Sequence, residues 1–366
     1  TFDKLRENNQ EQLQGLIEEL GAKDHTLGTN AQKVGTLYSM GIDEGKLNAE
    51  GYEPIKPILA EIDEATSKKD IVRLMAQINR FAASPFFGFR VGPDTKNSTM
   101  NIAHIFQSGI GMGGREYYTE QDDKSKELRQ EYVNMMQVQF QNIGYPEAKA
   151  VEAAKAAMKI ETELAENHFT KEERRQPEKN YHKIKFIDLE KEVAPFDWAY
   201  YFKQVGANSL EDLNVSQIEP VRAAINIINT ESIENLKSYL NWIVIRSAAS
   251  YLSDDFVDAS FEFYGKTMSG SKENRPRWKR SIDAVNGALG EAVGQLYVER
   301  YFPEEAKERM LTLVNNLTES LGERISNLEW MSEETKEKAH EKLSTFIVKI
   351  GYPDKWKDYS SLEIKD

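Results

Sequence analysis

Cysteine is absent from all 366 residues. That excludes a disulfide framework, a thiolate metal site and a cysteine nucleophile, and by itself assigns no compartment. Long apolar runs are also missing. No stretch of about 18 apolar residues occurs, so nothing in the sequence reads as a membrane-spanning helix. Positive charge is in deficit, with 47 Lys and Arg against 60 Asp and Glu, a net charge of −13. Nucleic-acid binding and adhesion to anionic lipid both rely on basic side chains facing phosphates, so neither partner fits this balance. A basic or neutral peptide does. The opening Thr1-Phe2-Asp3-Lys4-Leu5-Arg6 has no apolar signal segment. Without an initiator Met, the natural start is expected to have been removed, together with any leader or anchor.

Histidine is scarce: His25, His104, His168, His182 and His340. A helical zinc-hydrolase motif needs two imidazoles at i and i+4 around a glutamate, H-E-x-x-H, so that both face one metal. His340-Glu341-Lys342-Leu343-Ser344 begins that pattern and fails at Ser344. An exposed helix histidine is expected there, and no metal ligand is expected in the chain.

A chain of this length holds a large core, as two domains or one two-lobed unit. Its period is helical, which predicts a mainly α protein with one small hairpin. In 146–167, Val151, Ala154, Met158 and Ala165 share a face. In 281–300 the stripe is Val285, Leu289, Ala292, Val293 and Leu296. Gly287, Gly290 and Gly294 lie along the same helix, each costing roughly 1 kcal/mol there, which predicts another backbone packed against them. In 304–327 the stripe is Met310, Leu313, Leu317, Leu321 and Ile325. Thr170 with Glu173, and Ser332 before Glu333 and Glu334, are helix-start signals. Residues 86–91 and 345–350 read as strands. Residues 96–118 read as an ordered loop between helices.

Glu161 falls on the apolar side of its helix. Burying it demands a partner, and an arginine in a structural ion pair is expected rather than a catalytic role. The glycine-rich Gly109-Ile110-Gly111-Met112-Gly113-Gly114 superficially resembles a nucleotide loop, but no alternating βαβ pattern surrounds it, so a tight turn is expected. On the residues alone, no catalytic constellation emerges.

Several blocks, in order, resemble the N-terminal region of the neprilysin family, which includes endothelin-converting enzymes and bacterial oligopeptidase O. They are Phe2-Asp3-Lys4-Leu5-Arg6; Gln107, Gly109, Gly111, Arg115, Tyr117 and Tyr118; Glu161 to Ala165 with Arg175-Gln176-Pro177 and Tyr181; Tyr239 to Arg246; Phe261 to Gly265; Arg277 to Arg280; Ala292 to Val298; Leu328 to Met331; and Ile350-Gly351-Tyr352-Pro353. Gln176 and His182 depart from the family's usual Asp and Asn. Lys279 stands where animal members have cysteine, which points to a bacterial member; a periplasmic or secreted setting is then favoured over the cytoplasm.

The resemblance implies two largely helical lobes around a central cavity. This chain would supply the lid lobe and connecting helices of a zinc metalloendopeptidase. Residues 1–30 would pack with the catalytic lobe, 31–270 would form the lid, and 271–366 would link back. The H-E-x-x-H motif, its zinc ion and the peptide-cleaving chemistry would follow Asp366, in a catalytic segment of the same protein, and this chain alone would be inactive. Phe2 and Arg6 resemble positions that line the substrate cleft. Arg6 would meet a substrate carboxylate or carbonyl, since guanidinium offers forked donors. The rival reading is a non-enzymatic helical binding module with the same architecture.

Overall fold

A computed structural model describes residues 2–365. The chain begins with helices α1 (Phe2–Gly21), α2 (Asn30–Ile42), α3 (Glu44–Glu50), α4 (Lys56–Asp63) and α5 (Lys68–Ile78), then strands β1 (Phe87–Asp94) and β2 (Asn97–Gln107). Helices α6 (Glu116–Thr119), α7 (Asp123–Asn142) and α8 (Glu147–Asn167) lead to β3 (Lys183–Lys185), α9 (Leu189–Glu192), α10 (Trp198–Val205) and β4 (Asp212–Val215). Then come α11 (Ile218–Thr230), α12 (Ile233–Ala248), α13 (Asp254–Ser260), a π-helical segment Phe261–Met268, α14 (Arg277–Tyr301), α15 (Glu304–Ser326) and α16 (Glu333–Ser344). They form two compact units. One is contiguous, residues 44–274; the other joins residues up to 43 with those from 275 onward.

The contiguous unit is built around α8 and α12. Helix α12 buries Leu236, Tyr239, Leu240, Trp242, Ile243, Val244 and Ile245, an apolar face too wide for a surface helix. Helix α8 offers Ala150, Ala153, Ala154 and Ala157, all buried, to α7, α11 and α12. Small side chains let those helices approach closely. The four-stranded sheet has the order β1-β2-β4-β3, with β2 and β4 parallel and the other pairs antiparallel. It sends Ala103, Ile105, Leu213 and Val215 into the same core. Against the expectation of a loop over 96–118, residues 97–107 are strand. The half from Asn97 to Asn101 lies exposed; Asn97 and Asn101 pair with Asp94 and Pro93 of β1, and Ser98 to Met100 fall in the register break between them. Helix starts follow the capping chemistry: Ser67 and Asp70 form a reciprocal capping box on α5, and Asp122 and Ser332 cap α7 and α16. The Thr170–Glu173 exchange is also made, but it opens only a single 3-10 turn.

In the discontinuous unit, α1 and α2 pack with α14 around Leu16, Ile17, Val34, Tyr38, Val285, Leu289 and Val293. Lys33 is buried and donates to the carbonyls of Gly28 (2.9 Å) and Tyr359 (2.6 Å), fastening the last segment to α2. The close backbone approach expected at Gly287, Gly290 and Gly294 is found elsewhere, at Gly35, where a Cβ would lie 2.4 Å from the Leu20 carbonyl oxygen. Positions 287 and 290 face open space, and Gly294 meets only the Trp356 ring. Between the first two, Leu289 leaves helical geometry (φ −126°, ψ 31°) and kinks α14. Residues 345–350 are not a strand; Phe346 and Ile347 are exposed, with no neighbouring strand among the described residues. Helix α15 has the expected stripe, yet none of its residues is buried.

Removing the α5 cap by Ser67→Ala should lower stability by about 1 kcal/mol, read as a shift of the urea midpoint, while Ser67→Thr should leave it nearly unchanged.

Candidate functional site

Four of the blocks that carry the family resemblance, those at 107–118, 161–165, 239–246 and 261–265, meet around one buried carboxylate. Glu161, on α8, is fully buried. Its Oε2 accepts from Tyr118 Oη at 2.5 Å, Tyr132 Oη at 3.1 Å and the Gly111 N–H at 3.2 Å. Its Oε1 accepts from Trp242 Nε1 at 2.9 Å and faces Arg246 Nη1 at 3.5 Å. The arginine demanded by a buried glutamate is thus Arg246, one turn beyond Trp242 on α12. Tyr264, from the π-helical segment, donates to the Gly111 carbonyl at 3.3 Å.

This arrangement explains the glycine-rich stretch. A Cβ on Gly111 would lie 1.9 Å from Tyr132 Oη and 2.1 Å from Arg246 Nη1. Gly109 has φ +97°, and a Cβ there would meet Tyr239 Oη at 2.4 Å. Tyr239 Oη itself donates to the Gly109 carbonyl and accepts from the Phe86 N–H. The loop does run from a strand to a helix, as a phosphate loop would. Its Gly111 N–H, however, bonds Glu161 and Tyr118, and the Met112 N–H bonds Tyr118. An internal carboxylate occupies the place where a phosphate would sit, and its charge repels a second anion.

Burial pushes Glu161 above the usual carboxylate range, against the opposing pull of Arg246 and of the Tyr118, Trp242 and Tyr132 donors. Burial works against the charge of Arg246, but Tyr132 and Glu161 more than offset it, so the guanidinium stays protonated. Burial and Glu161 together hold the Tyr118 and Tyr132 phenols well above their ordinary range, so both remain donors. Fully buried and engaged by its donors, Glu161 holds residues 109–118 in place as a structural clamp.

Phe2 and Arg6 lie one turn apart on α1, along an open groove of about 440 Å³ with Leu5, Asn9, Gln10 and Leu13. Phe2 is 90% exposed, and Arg6 pairs with Asp3 at 2.9 Å. Farther along the same unit, Leu13, Gly290, Tyr297, Tyr352 and Trp356 line a second cleft of about 400 Å³. The block ending in Tyr352-Pro353 builds its wall, with the Tyr352 and Trp356 rings stacked at 5.9 Å. Beyond it, Met310, Leu313, Leu317 and Leu321 on α15 are 42–62% exposed, and Trp330 and Ile347 more so.

The residues present do not fit zinc. Among the described residues no three His, Asp or Glu side chains are grouped to hold a metal. His340, half-buried rather than exposed, places Nε2 3.0 Å from Ser326 Oγ, and Ser344 Oγ donates to the Glu341 carbonyl.

Glu161→Ala should cost about 3–5 kcal/mol, because it strands the Arg246 charge and several buried donors. Glu161→Gln keeps the shape and should cost less. A folded pKa raised above the unfolded value stabilises below the unfolded pKa, and that contribution is lost as pH rises. Wild type should therefore lose stability relative to Glu161→Gln as pH climbs above 4.5, the ordinary glutamate value. Chemical denaturation across pH checks both.

Comparison with known proteins agrees with the resemblance read from the motifs. The family model of peptidase family M13, N-terminal part, matches residues 1–353. The zinc metalloprotease Zmp1 of Mycobacterium tuberculosis, in an open state, superposes with a TM-score of 0.91 at 33% identity, over 99% of this chain and 56% of that one. Endothelin-converting enzyme 1 of Cavia porcellus is 28% identical over 365 residues, 96% of this chain. The chain spans 48% of that relative's length. PepO of Lactobacillus rhamnosis shares the fold at 18% identity, with a TM-score of 0.83. The chain belongs to peptidase family M13, the neprilysin family of zinc metallopeptidases, and corresponds to its N-terminal region.

Proposed function

We propose that this chain is the non-catalytic portion of a zinc-dependent metalloendopeptidase that hydrolyses peptides inside a size-restricting chamber. The observation that carries the reading is a family match over nearly the whole chain in a sequence without H-E-x-x-H. Zinc, one ion, then belongs to a catalytic segment of the same protein outside these residues. In this reading residues 31–270 serve as the lid lobe, 1–30 pack with the catalytic lobe, and 271–366 lead back to it. A closed chamber admits unfolded peptides and excludes folded proteins.

The apolar faces support a missing partner. A stripe of four large side chains on α15, continued by Trp330, Phe346 and Ile347, forms an apolar patch of a kind that soluble proteins normally cover. The catalytic segment is the occupant we assign to it, since about half the length of the relatives lies outside this chain. The open cleft beside Gly290 and Trp356 is continuous in sequence with the same elements. Phe2 and Arg6 are free to meet a peptide because α1 exposes both, and the Arg6–Asp3 pair is a surface contact of small worth.

Native mass spectrometry with zinc analysis of the protein from its source tests the reading. A longer or second polypeptide carrying about one zinc per assembly supports it. A lone 41.9 kDa species without zinc overturns it in favour of a binding module. The isolated chain should not cleave an internally quenched peptide, with or without added zinc. In the zinc-loaded assembly, Arg6→Ala and Phe2→Ala should each raise KM several-fold, about 1 kcal/mol of lost binding, with smaller change in kcat. Unchanged kinetics would remove both residues from the cleft.

A further inference from the structure

The contiguous unit carries a groove on the far side of Phe263, whose ring packs on Tyr132 of the buried clamp at 5.0 Å. Helix α7 and the α13–π-helical segment border this groove of about 440 Å³. Its floor is apolar, with Met135, Val138 and Phe263. Its rim is acidic, with Glu131, Asp255, Asp258 and Glu262, and no lysine or arginine lines it. Glu262 pairs with Lys266 on its own helix. Glu131, Asp255 and Asp258 are exposed, and among the described residues no ion pair or side-chain hydrogen bond engages them.

Two further polar groups lie on α7, of which Asn142 lines the groove and Gln139 does not. Gln139 is 1% exposed; its Nε2 donates to the Phe256 carbonyl and to Ser260 Oγ, both at 2.9 Å, while Oε1 has no partner. One turn on, the buried Nδ2 of Asn142, itself a lining residue, also has none. Orphaned buried polar atoms are rare in folded proteins and call for an explanation. The groove is thus rich in carboxylate acceptors, and the unpartnered Asn142 amide nitrogen lies buried in its α7 wall.

Three features narrow the ligand. The carboxylates are spread around the groove and do not form a metal-binding group, which disfavours a divalent cation. The apolar floor suits an aliphatic stem below a charged head, the way long basic side chains bury their methylenes. A guanidinium supplies five N–H donors to a site lined by four carboxylates and by no Lys or Arg. We propose that this groove binds an arginine side chain of an extended peptide, making it an exosite that favours basic peptides. That the arginine comes on a peptide rests on the peptidase reading; that a guanidinium enters rests on the groove alone.

Fluorescence anisotropy of the whole 366-residue chain tests the proposal, with a fluorescein-labelled, C-terminally amidated Ala-Arg-Leu-Ala-Arg-Ala peptide and its citrulline counterpart. Saturable binding is expected, weakening with salt as partly exposed charges are screened. The double variant Asp255→Asn/Asp258→Asn should weaken it by about fivefold or more. Glu178→Gln, an exposed carboxylate that lines no part of the groove, should not. The citrulline peptide should bind at least as poorly as the arginine peptide binds the double variant. Circular dichroism confirms that the variants remain folded. Equal binding of the two peptides, unchanged binding by the double variant, or no saturable binding at low salt would each overturn the proposal. The assay needs neither zinc nor hydrolysis, so its failure leaves the peptidase reading standing, and the absence of zinc in the native protein leaves the groove standing.

Discussion

The contiguous unit is organised around a negative charge that cannot reach water. Glu161 lies where α8 would otherwise present an alanine-like face, and every group around it is arranged to offer a proton or a positive charge. Those groups come from the glycine stretch, α6, α7 and α12, distant in sequence. A buried ion pair is a poor source of net stability, since desolvation consumes most of the Coulomb gain. Its value is in register. The carboxylate accepts from one backbone N–H in the glycine stretch, and the phenols of Tyr239 and Tyr264 hold that stretch's carbonyls. The loop therefore has one way to sit.

The discontinuous unit has a different character. Its core is small and joins α1, α2 and α14, while α15 and α16 cover little of each other's apolar surface. Amphipathic helices gain most of their stability from packing of the apolar face. Helix α15 keeps such a face uncovered from Met310 to Leu321. Gly287 and Gly290 of α14 likewise carry the cost of glycine in a helix with open space beside them among the described residues.

Much of this was readable in the sequence. The period of the stripes located α8, α14 and α15, and the side on which Glu161 fell demanded an arginine. Which arginine was not readable, because Arg246 lies on another helix and only the fold brings the two together. Strand β2 was missed for a physical reason. Its first half is polar and unpatterned, and it is a strand through pairing with β1, a non-local term that no window of sequence contains. The error at 345–350 is the mirror image, a β-branched apolar run with no strand beside it. The acidic groove carried no sequence signal, since its two walls are more than a hundred residues apart. The ordered blocks spoke most clearly, because a resemblance encodes the tertiary contacts that periodicity cannot.

The chain order of the discontinuous unit has a consequence for biosynthesis. Val34 on α2 and Ile282 on α14 belong to one core, yet the whole contiguous unit is made between them. At roughly 5–20 residues per second, α1 and α2 leave the ribosome roughly ten to fifty seconds before their partner helix exists. During that interval Leu16, Ile17 and Val34 have each other but lack their α14 partners Val285, Leu289 and Val293. The intervening unit, with its own core and a self-contained charge cluster, is free to fold first, and the two early helices must be kept from wrong contacts until α14 arrives.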